Sequence, residues 1–260
     1  MRMDLGLSGK IGLVAAASKG LGKAVAHRLS QEGMRVAICA RDEKILHATA
    51  QEISALTGNE VLPIRADVTR PDDIKNLVAE TVKRFGGLDV LVTNAGGPPP
   101  GNFFACDDAH WEQAFHLTLM SVVRLCREAI PHMQARGGGR IINIASVSVK
   151  QPIENLILSN SLRLAVVGLA KSLSNELARW KITVNTVCPG PTQTERMEQL
   201  FRASGNIEEA RRFWTKDIPM GRMGQPHELA DLVAFLASEN ARYITGTVIQ
   251  VDGGLVKGIF

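Results

Sequence analysis

The chain has 260 residues, 45% of them hydrophobic and 22% charged, with 24 glycines spread without period; this composition excludes collagen-like, fibrous and disordered chains. That length suits one large α/β domain around a single core, spanning residues 1–260. Thirty basic and 26 acidic side chains leave a net charge of +4 at a pI near 9.0. The charges stay mixed along the sequence instead of gathering into a basic stripe, so no nucleic-acid partner is expected.

Four cysteines, Cys39, Cys106, Cys126 and Cys188, lie far apart with no CxxC or Cys/His ligand spacing. They read as buried free thiols, with neither a metal site nor a disulfide framework. The opening MRMDLGLSGK reaches Asp4 and Lys10 before an apolar signal core forms, and no apolar run approaches a membrane span. The expectation is a reducing, cytoplasmic setting without membrane contact.

In chain order, Ile11 to Ala17 is an unbroken apolar run entered from Gly-Lys, too short for a helix, and reads as a buried strand. Leu21 to Glu32 then places apolar residues at i, i+3, i+4 and i+7, the period of a helix with one apolar face. The alternation continues with strand Arg35 to Ala40, helix Asp42 to Leu56, strand Glu60 to Ala66, helix Pro71 to Phe85 and strand Val90 to Thr93. Helix Asp107 to Met133, strand Arg140 to Ala145, helix Leu156 to Arg179, strand Thr183 to Cys188, helix Pro226 to Leu236 and strand Thr247 to Val251 complete it. Apolar strands separated by helices predict a parallel seven-stranded sheet covered on both faces, a doubly wound, Rossmann-type α/β fold. The most irregular stretch, residues 191–223, is expected to be a substrate lid.

In an open parallel sheet, ligands bind beyond the carboxyl ends of the strands, so the first strand-to-helix turn is read first. It runs Ala15-Ala16-Ala17-Ser18-Lys19-Gly20-Leu21-Gly22. Two glycines and a serine at a helix N-terminus suit an anion, because missing side chains let N–H groups approach a pyrophosphate whose charge the helix dipole favours. A plain tight turn explains the same fragment, and alone the two readings stand level.

The turn resembles the Thr-Gly-x-x-x-Gly-x-Gly fingerprint of the short-chain dehydrogenase/reductase family. Three further segments match that family in order: Asn94-Ala95-Gly96 after the fourth strand, Asn185 to Gly190 across the sixth, and Pro226-x-Glu228-Leu229-Ala230 leading to Tyr243-Ile244-Thr245-Gly246 and Val251-Asp252-Gly253-Gly254. The resemblance covers the whole chain and is strongest to 3-oxoacyl-acyl-carrier-protein reductase-like members. It implies that Ser18, Gly20, Leu21 and Gly22 hold a pyrophosphate, Asp67 and Val68 the adenine, Asn94, Ala95 and Gly96 a ribose, and Pro189, Gly190 and Thr194 the nicotinamide side. An acid about 20 residues beyond the glycines would accept the ribose hydroxyls of NAD, whereas arginine answers the 2′-phosphate of NADP. The chain offers Arg41 there, with Lys19 as a second cation and Asp42 next door. NADP(H) is therefore favoured, with NAD(H) still open.

The sequence departs from the family at its chemistry. The fingerprint's Thr-Gly is Ala15-Ala16. In the family, a Tyr-x-x-x-Lys pair on the helix after the fifth strand does the proton work, both side chains lying on one helical face. The family's strand-end serine is matched by Ser146. Thirteen residues further stands Ser159, then Arg163 in the lysine position. The one tyrosine, Tyr243, is followed four residues later by Thr247, so no Tyr-x-x-x-Lys exists. The family's asparagine after Trp111 corresponds to Thr118.

Ser146 can donate to a carbonyl oxygen as an oxyanion donor. Ser159 carries an aliphatic hydroxyl, a far weaker acid than a phenol, and can orient a substrate. Arg163 keeps the charge and can bond a ribose but cannot relay protons. Ser146 and Lys150 also show Ser-x-x-x-Lys spacing, read as chance on a loop. The donor-poor prolines from Gly96 to Gly101 form either a pocket wall or a stiff surface connection. His110, His116, His132 and His227 read as surface or cap residues, and none is assigned as a base.

Two functions follow. The first is an NADP(H)-dependent oxidoreductase reducing a carbonyl, or oxidising a hydroxyl, of a small or acyl-chain substrate, with altered catalytic residues. The alternative is a non-catalytic nucleotide-binding protein that retains the fold and crevice. The resemblance implies a homo-oligomer, a tetramer, and the apolar end from Gly254 to Phe260 fits either an interface or a fold back onto its own subunit.

Overall fold

The computed structural model describes residues 4–203 and 205–259. The apolar runs become β1 (Ile11–Val14), β2 (Arg35–Ala40), β3 (Val61–Arg65), β4 (Val90–Thr93), β5 (Gly139–Ile144), β6 (Ile182–Pro189) and β7 (Val248–Val251). All pair in parallel, in the order β3-β2-β1-β4-β5-β6-β7. The chain steps outward from β1 to β3 and then crosses back to lay β4 beside β1. The reversal opens a crevice at the carboxyl ends of those two strands.

Helices α1 (Gly20–Gln31), α2 (Glu43–Thr57) and α9 (Pro226–Ala237) cover one face of the sheet, and α3 (Pro71–Phe85), α5 (Ser121–Ala135) and α6 (Ile157–Leu177) the other. Successive strand residues serve the two layers in turn, as the pleat requires. Val14, Val92 and Ile142 pack with Val25, Leu29 and Val233, whereas Leu13, Leu91 and Ile141 pack with Ile74, Leu125 and Val166. The seven-stranded, doubly wound sheet is thus as the sequence predicts.

Several boundaries differ. The first apolar run leaves the sheet at Val14, and Ala15 to Ala17 form the turn instead, with Ala16 left-handed at φ 48°. The helix expected from Asp107 to Met133 is three pieces: α4 (Asp108–Ala114), a π-helical turn (Phe115–Met120) and α5. Apolar residues keep helical spacing through the break, which hides it in the sequence. The other strand ends shift by about one residue, within ordinary fraying.

Residues 191–223 are not irregular throughout, for they contain α7 (Glu195–Ala203) and α8 (Ile207–Thr215), and Asn206 caps α8 by accepting the Glu209 N–H. The base of this segment is pinned: Gln193 N–H donates to the Gly224 carbonyl at 2.8 Å and Gly224 N–H to Pro191 at 3.0 Å. At the chain end, Leu255 and Val256 fold back onto Ala145, Val147 and Cys188. Phe260 lies outside the described residues. Of the four free thiols, Cys39, Cys126 and Cys188 are buried, and Cys106 is only partly so. Among the described residues, no helix is long and apolar enough to cross a membrane.

Candidate functional site

A cleft of about 1680 Å³ opens above the crevice between β1 and β4 and runs across the carboxyl ends of the strands. One end is built largely from backbone. Ser18, Lys19, Gly20 and Leu21 lead into α1 and line the cleft. Gly20 has φ 55°, a conformation that glycine adopts without strain. Ala16 adopts the same region without that freedom, and its peptide groups are tied on both sides. Asn94 Nδ2 donates to its carbonyl at 3.1 Å, and its N–H donates to the Cys39 thiol. Burial outweighs that hydrogen bond and pushes Cys39 up to about 11, so the thiol is an inert support.

Gly22 packs under the turn and is not among the residues that line the cleft. A Cβ there would lie 2.5 Å from the Ala16 carbonyl oxygen and 2.9 Å from Asn94 Nδ2. Its missing side chain lets α1 pack down on the turn.

Arg41 and Lys19 face the cleft from β2 and the turn. Asp42 lines the same stretch, and its carboxylate also accepts the Ile45 N–H at 3.0 Å and caps α2. Two cations, Arg41 and Lys19, thus stand at this corner beside the acids Asp42 and Asp67. Asp67 closes the next turn by accepting from the Thr69 N–H and hydroxyl at 2.9 and 2.8 Å. Burial pushes its carboxyl up, but those hydrogen bonds and the charges of Arg41 and Arg70 outweigh it and hold it below the usual carboxylate range. Val68, Ala95 and Gly96 line the same stretch.

The opposite end is built from side chains. Ser146 ends β5 and its hydroxyl accepts the Ser148 N–H at 3.1 Å, leaving the hydroxyl proton free to point into the cleft. Ser159 and Arg163 lie one turn apart on α6 and reach the same wall. Ser159, 7% exposed, lies 3.3 Å from the Ser148 hydroxyl. Arg163 Nη1 donates to the carbonyls of Ile144 at 3.2 Å and Ala145 at 2.9 Å, which fixes a cation beside Ser146. Pro189 and Gly190 complete this end, and Thr194 lines the cleft beside Gly20 of the glycine turn; a Cβ on Gly190 would stand 2.8 Å from Asp252 Cβ, so the close crossing demands glycine.

Thr118 is separated from the cleft. It lies in the π-helical turn with its hydroxyl buried and unpartnered among the described residues. It borders a void of about 10 Å³ that Arg163 also lines, room for about one water. The Gly96–Gly101 segment is a pocket wall: Gly96, Gly97 and Pro99 line the cleft, and Gly101 is tied to the start of α6 through Asn155 and Ile157.

Sequence reasoning missed Ser148, Arg124 and Glu195. Ser148 was legible in the Ser146-x-Ser148 spacing. Arg124 lines the cleft, donates to the Thr69 carbonyl at 2.8 Å and lies 3.4 Å from His116; a lone arginine on a helix gives no such signal. Glu195 reaches Gly20 across 175 residues, a contact that no local pattern announces. Tyr243 is 99% exposed, and among the described residues no tyrosine lines the cleft.

The donor set, a glycine turn with cations at one end and hydroxyls with a fixed cation at the other, fits an extended anionic ligand lying along the strand ends. The family profile described as Enoyl-(Acyl carrier protein) reductase matches residues 15–256. A 3-oxoacyl-acyl-carrier-protein reductase of Staphylococcus aureus is 36% identical over 250 residues, covering 95% of this chain and 98% of that one. The crystal structure of L-sorbose reductase from Gluconobacter frateurii, complexed with NADPH and L-sorbose, superposes with a TM-score of 0.96 at 32% identity, covering 99% and 100% of the two chains. An actinorhodin polyketide ketoreductase structure with NADPH gives a TM-score of 0.90 at 37% identity over 96% and 98%. By these matches, which span nearly its whole length, the chain belongs to the short-chain dehydrogenase/reductase family.

Proposed function

We propose that this protein is an NADP(H)-dependent oxidoreductase that reduces a carbonyl, or oxidises the corresponding hydroxyl, of a small or acyl-chain substrate, with Ser159 and Arg163 in altered catalytic roles. The observation that carries the reading is one cleft holding Lys19, Arg41 and the glycine turn at one end and Ser146, Ser159 and Arg163 at the other. Arg41 and Lys19 in the cleft wall and the NADPH in two related structures support NADP(H) over NAD(H). When bound, the cofactor supplies hydride.

The chain's own groups then have distinct tasks. Lys19 and Arg41 bind the 2′-phosphate, and the α1 N-terminus binds the pyrophosphate. Ser146 donates a hydrogen bond from its hydroxyl to the carbonyl oxygen where negative charge develops, keeping its proton. Ser159 orients the substrate, and the Arg163 guanidinium stabilises that charge without giving up a proton. The proton that completes a hydroxyl product comes from water in the open cleft. Residues 191–223 act as the lid, and the subunits assemble as a homotetramer in the cytoplasm. Positioning alone supplies much of a rate enhancement, so turnover is slow but real.

The test is titration with NADPH and NADH followed by cofactor fluorescence, then a panel of carbonyl substrates; gel filtration checks the tetramer. Micromolar NADPH binding with NADPH consumption on the panel supports the reading. Binding without consumption on any carbonyl points to the second function, a nucleotide-binding protein without reduction chemistry, which the serine at position 159 favours.

A further inference from the structure

The N-terminus of α1 draws no cap from its own neighbourhood. Lys19 makes no side-chain cap hydrogen bond, and the first turn contains no acidic residue. The Gly20 N–H instead donates to Glu195 Oε2 at 3.2 Å. Glu195 is the first residue of α7, so this one contact ties the lid to the turn that leads into α1. The neighbouring Thr194 is equally close, its methyl 3.5 Å from where a Cβ on Gly20 would stand. Gly20, Thr194 and Glu195 line both the main cleft and a second groove of about 600 Å³ between α1, α2 and α7. The carboxylate therefore stands on the partition between the two. Nearby Lys23 is engaged with Glu52 at 2.8 Å.

A carboxylate and a phosphate oxygen ask for the same thing at a helix start, an N–H donor in a field that favours negative charge. They cannot both take the Gly20 N–H, and at contact distance they repel. We propose that Glu195 is a resident anion that competes with the dinucleotide pyrophosphate for the Gly20 N–H, so that cofactor entry and release of the α7–α8 lid are one event. The proposal rests on the dinucleotide reading given above. The carboxylate holds α7 down on α1, and a pyrophosphate taking the N–H frees Glu195 and with it the first turn of the lid. The measured cofactor affinity is then the intrinsic affinity reduced by the fraction of chains in which the contact is made.

The experiment compares the full-length wild type with Glu195→Gln and Glu195→Ala in three readouts: NADPH fluorescence titration, inorganic pyrophosphate binding by calorimetry, and limited proteolysis across residues 195–216 without nucleotide. Removing the competitor is expected to tighten NADPH and pyrophosphate roughly three- to tenfold in the alanine variant, with glutamine between. Proteolysis is expected to quicken in both variants, and in the wild type when pyrophosphate is added. Unchanged or weaker NADPH binding in both variants overturns the proposal, and weaker binding makes the carboxylate a cofactor ligand instead. If no variant binds NADPH, the dinucleotide reading falls by itself. Pyrophosphate and proteolysis then judge the contact: equal cutting in wild type and Glu195→Ala overturns it, whereas faster cutting and tighter pyrophosphate uphold it.

Discussion

At the β1–β3 end of the cleft, what faces the ligand is mostly backbone: a left-handed Gly20, a helix N-terminus and a turn tied by Asn94 and Cys39. At the β5–β6 end it is side chains: the hydroxyls of Ser146 and Ser159, with the buried Ser148 hydroxyl 3.3 Å behind Ser159, and a guanidinium held on two carbonyls. The difference decides how each end tolerates change. A backbone cradle survives new side chains as long as the chain path is kept, and alanine at positions 15 and 16 leaves that path intact. A side-chain site has no such reserve, because each replaced group takes its acidity and reach with it. Substitution at the first end should therefore show as stability or affinity, and at the second as rate.

The largest expected effect lies at the side-chain end. The double substitution Ser159→Tyr with Arg163→Lys restores a phenol beside a cation one turn away, and turnover on the carbonyl panel should rise roughly a hundredfold. No gain at unchanged NADPH affinity would mean that the surrounding pocket, not the acid, limits the reaction. At the backbone end, Arg41→Asp should shift the NADPH to NADH affinity ratio at least about tenfold toward NADH, since a phosphate contact is replaced by repulsion. An unchanged ratio removes Arg41 from the phosphate site.

The remaining effects are on folding. Gly22→Ala puts a methyl 2.5 Å from the Ala16 carbonyl and should cost about 2 kcal/mol in urea unfolding, together with cofactor affinity. Ala16→Gly should do the reverse and stabilise by about 1 kcal/mol, because φ 48° strains an alanine and not a glycine. A loss of stability there would show that the alanine methyl packs better than the strain costs.

The smallest effect concerns the turn that leads into α9. Glu228 accepts from both Arg222 nitrogens and from the Gln225 N–H, which hold its carboxyl down to about 2. A depressed carboxylate lends stability that is complete above its unfolded value near 4.5 and is lost as the pH falls toward 2. Glu228→Gln should flatten the melting temperature between those limits. The pair is exposed, so added salt should shrink the difference between variant and wild type.

Much of the backbone end was legible, because it depends on glycines at fixed spacing and on strand ends. Gly20 and Asn94 line the cleft at the carboxyl ends of β1 and β4, as that logic expects of strand ends. Gly22 packs under the same turn; a spacing rule cannot tell a glycine that faces a ligand from one that lets a helix pack. At the other end the Ser159–Arg163 pair was found through the family resemblance, by its distance in sequence from Ser146, and α6 puts the two one turn apart. Thr118 lies in the π-helical turn and borders a small void that shares Asn94, Ala145 and Arg163 with the cleft, and the apolar period runs on unchanged through that turn.

The residues 191–223 mark the limit of local reading. Their short helices are charged and amphipathic, and what they touch lies far away in sequence. The sequence by itself determined the alternation of apolar runs and helical faces, hence the parallel sheet, because period acts over neighbours a few residues apart, and its ordered motifs carried the resemblance to the family. Only the tertiary structure decided that Ser148 meets Ser159, that Asn94 meets Ala16 and that Glu195 meets Gly20. Each of those is a choice among partners for one polar group, and packing alone brings the chosen partner within hydrogen-bond reach.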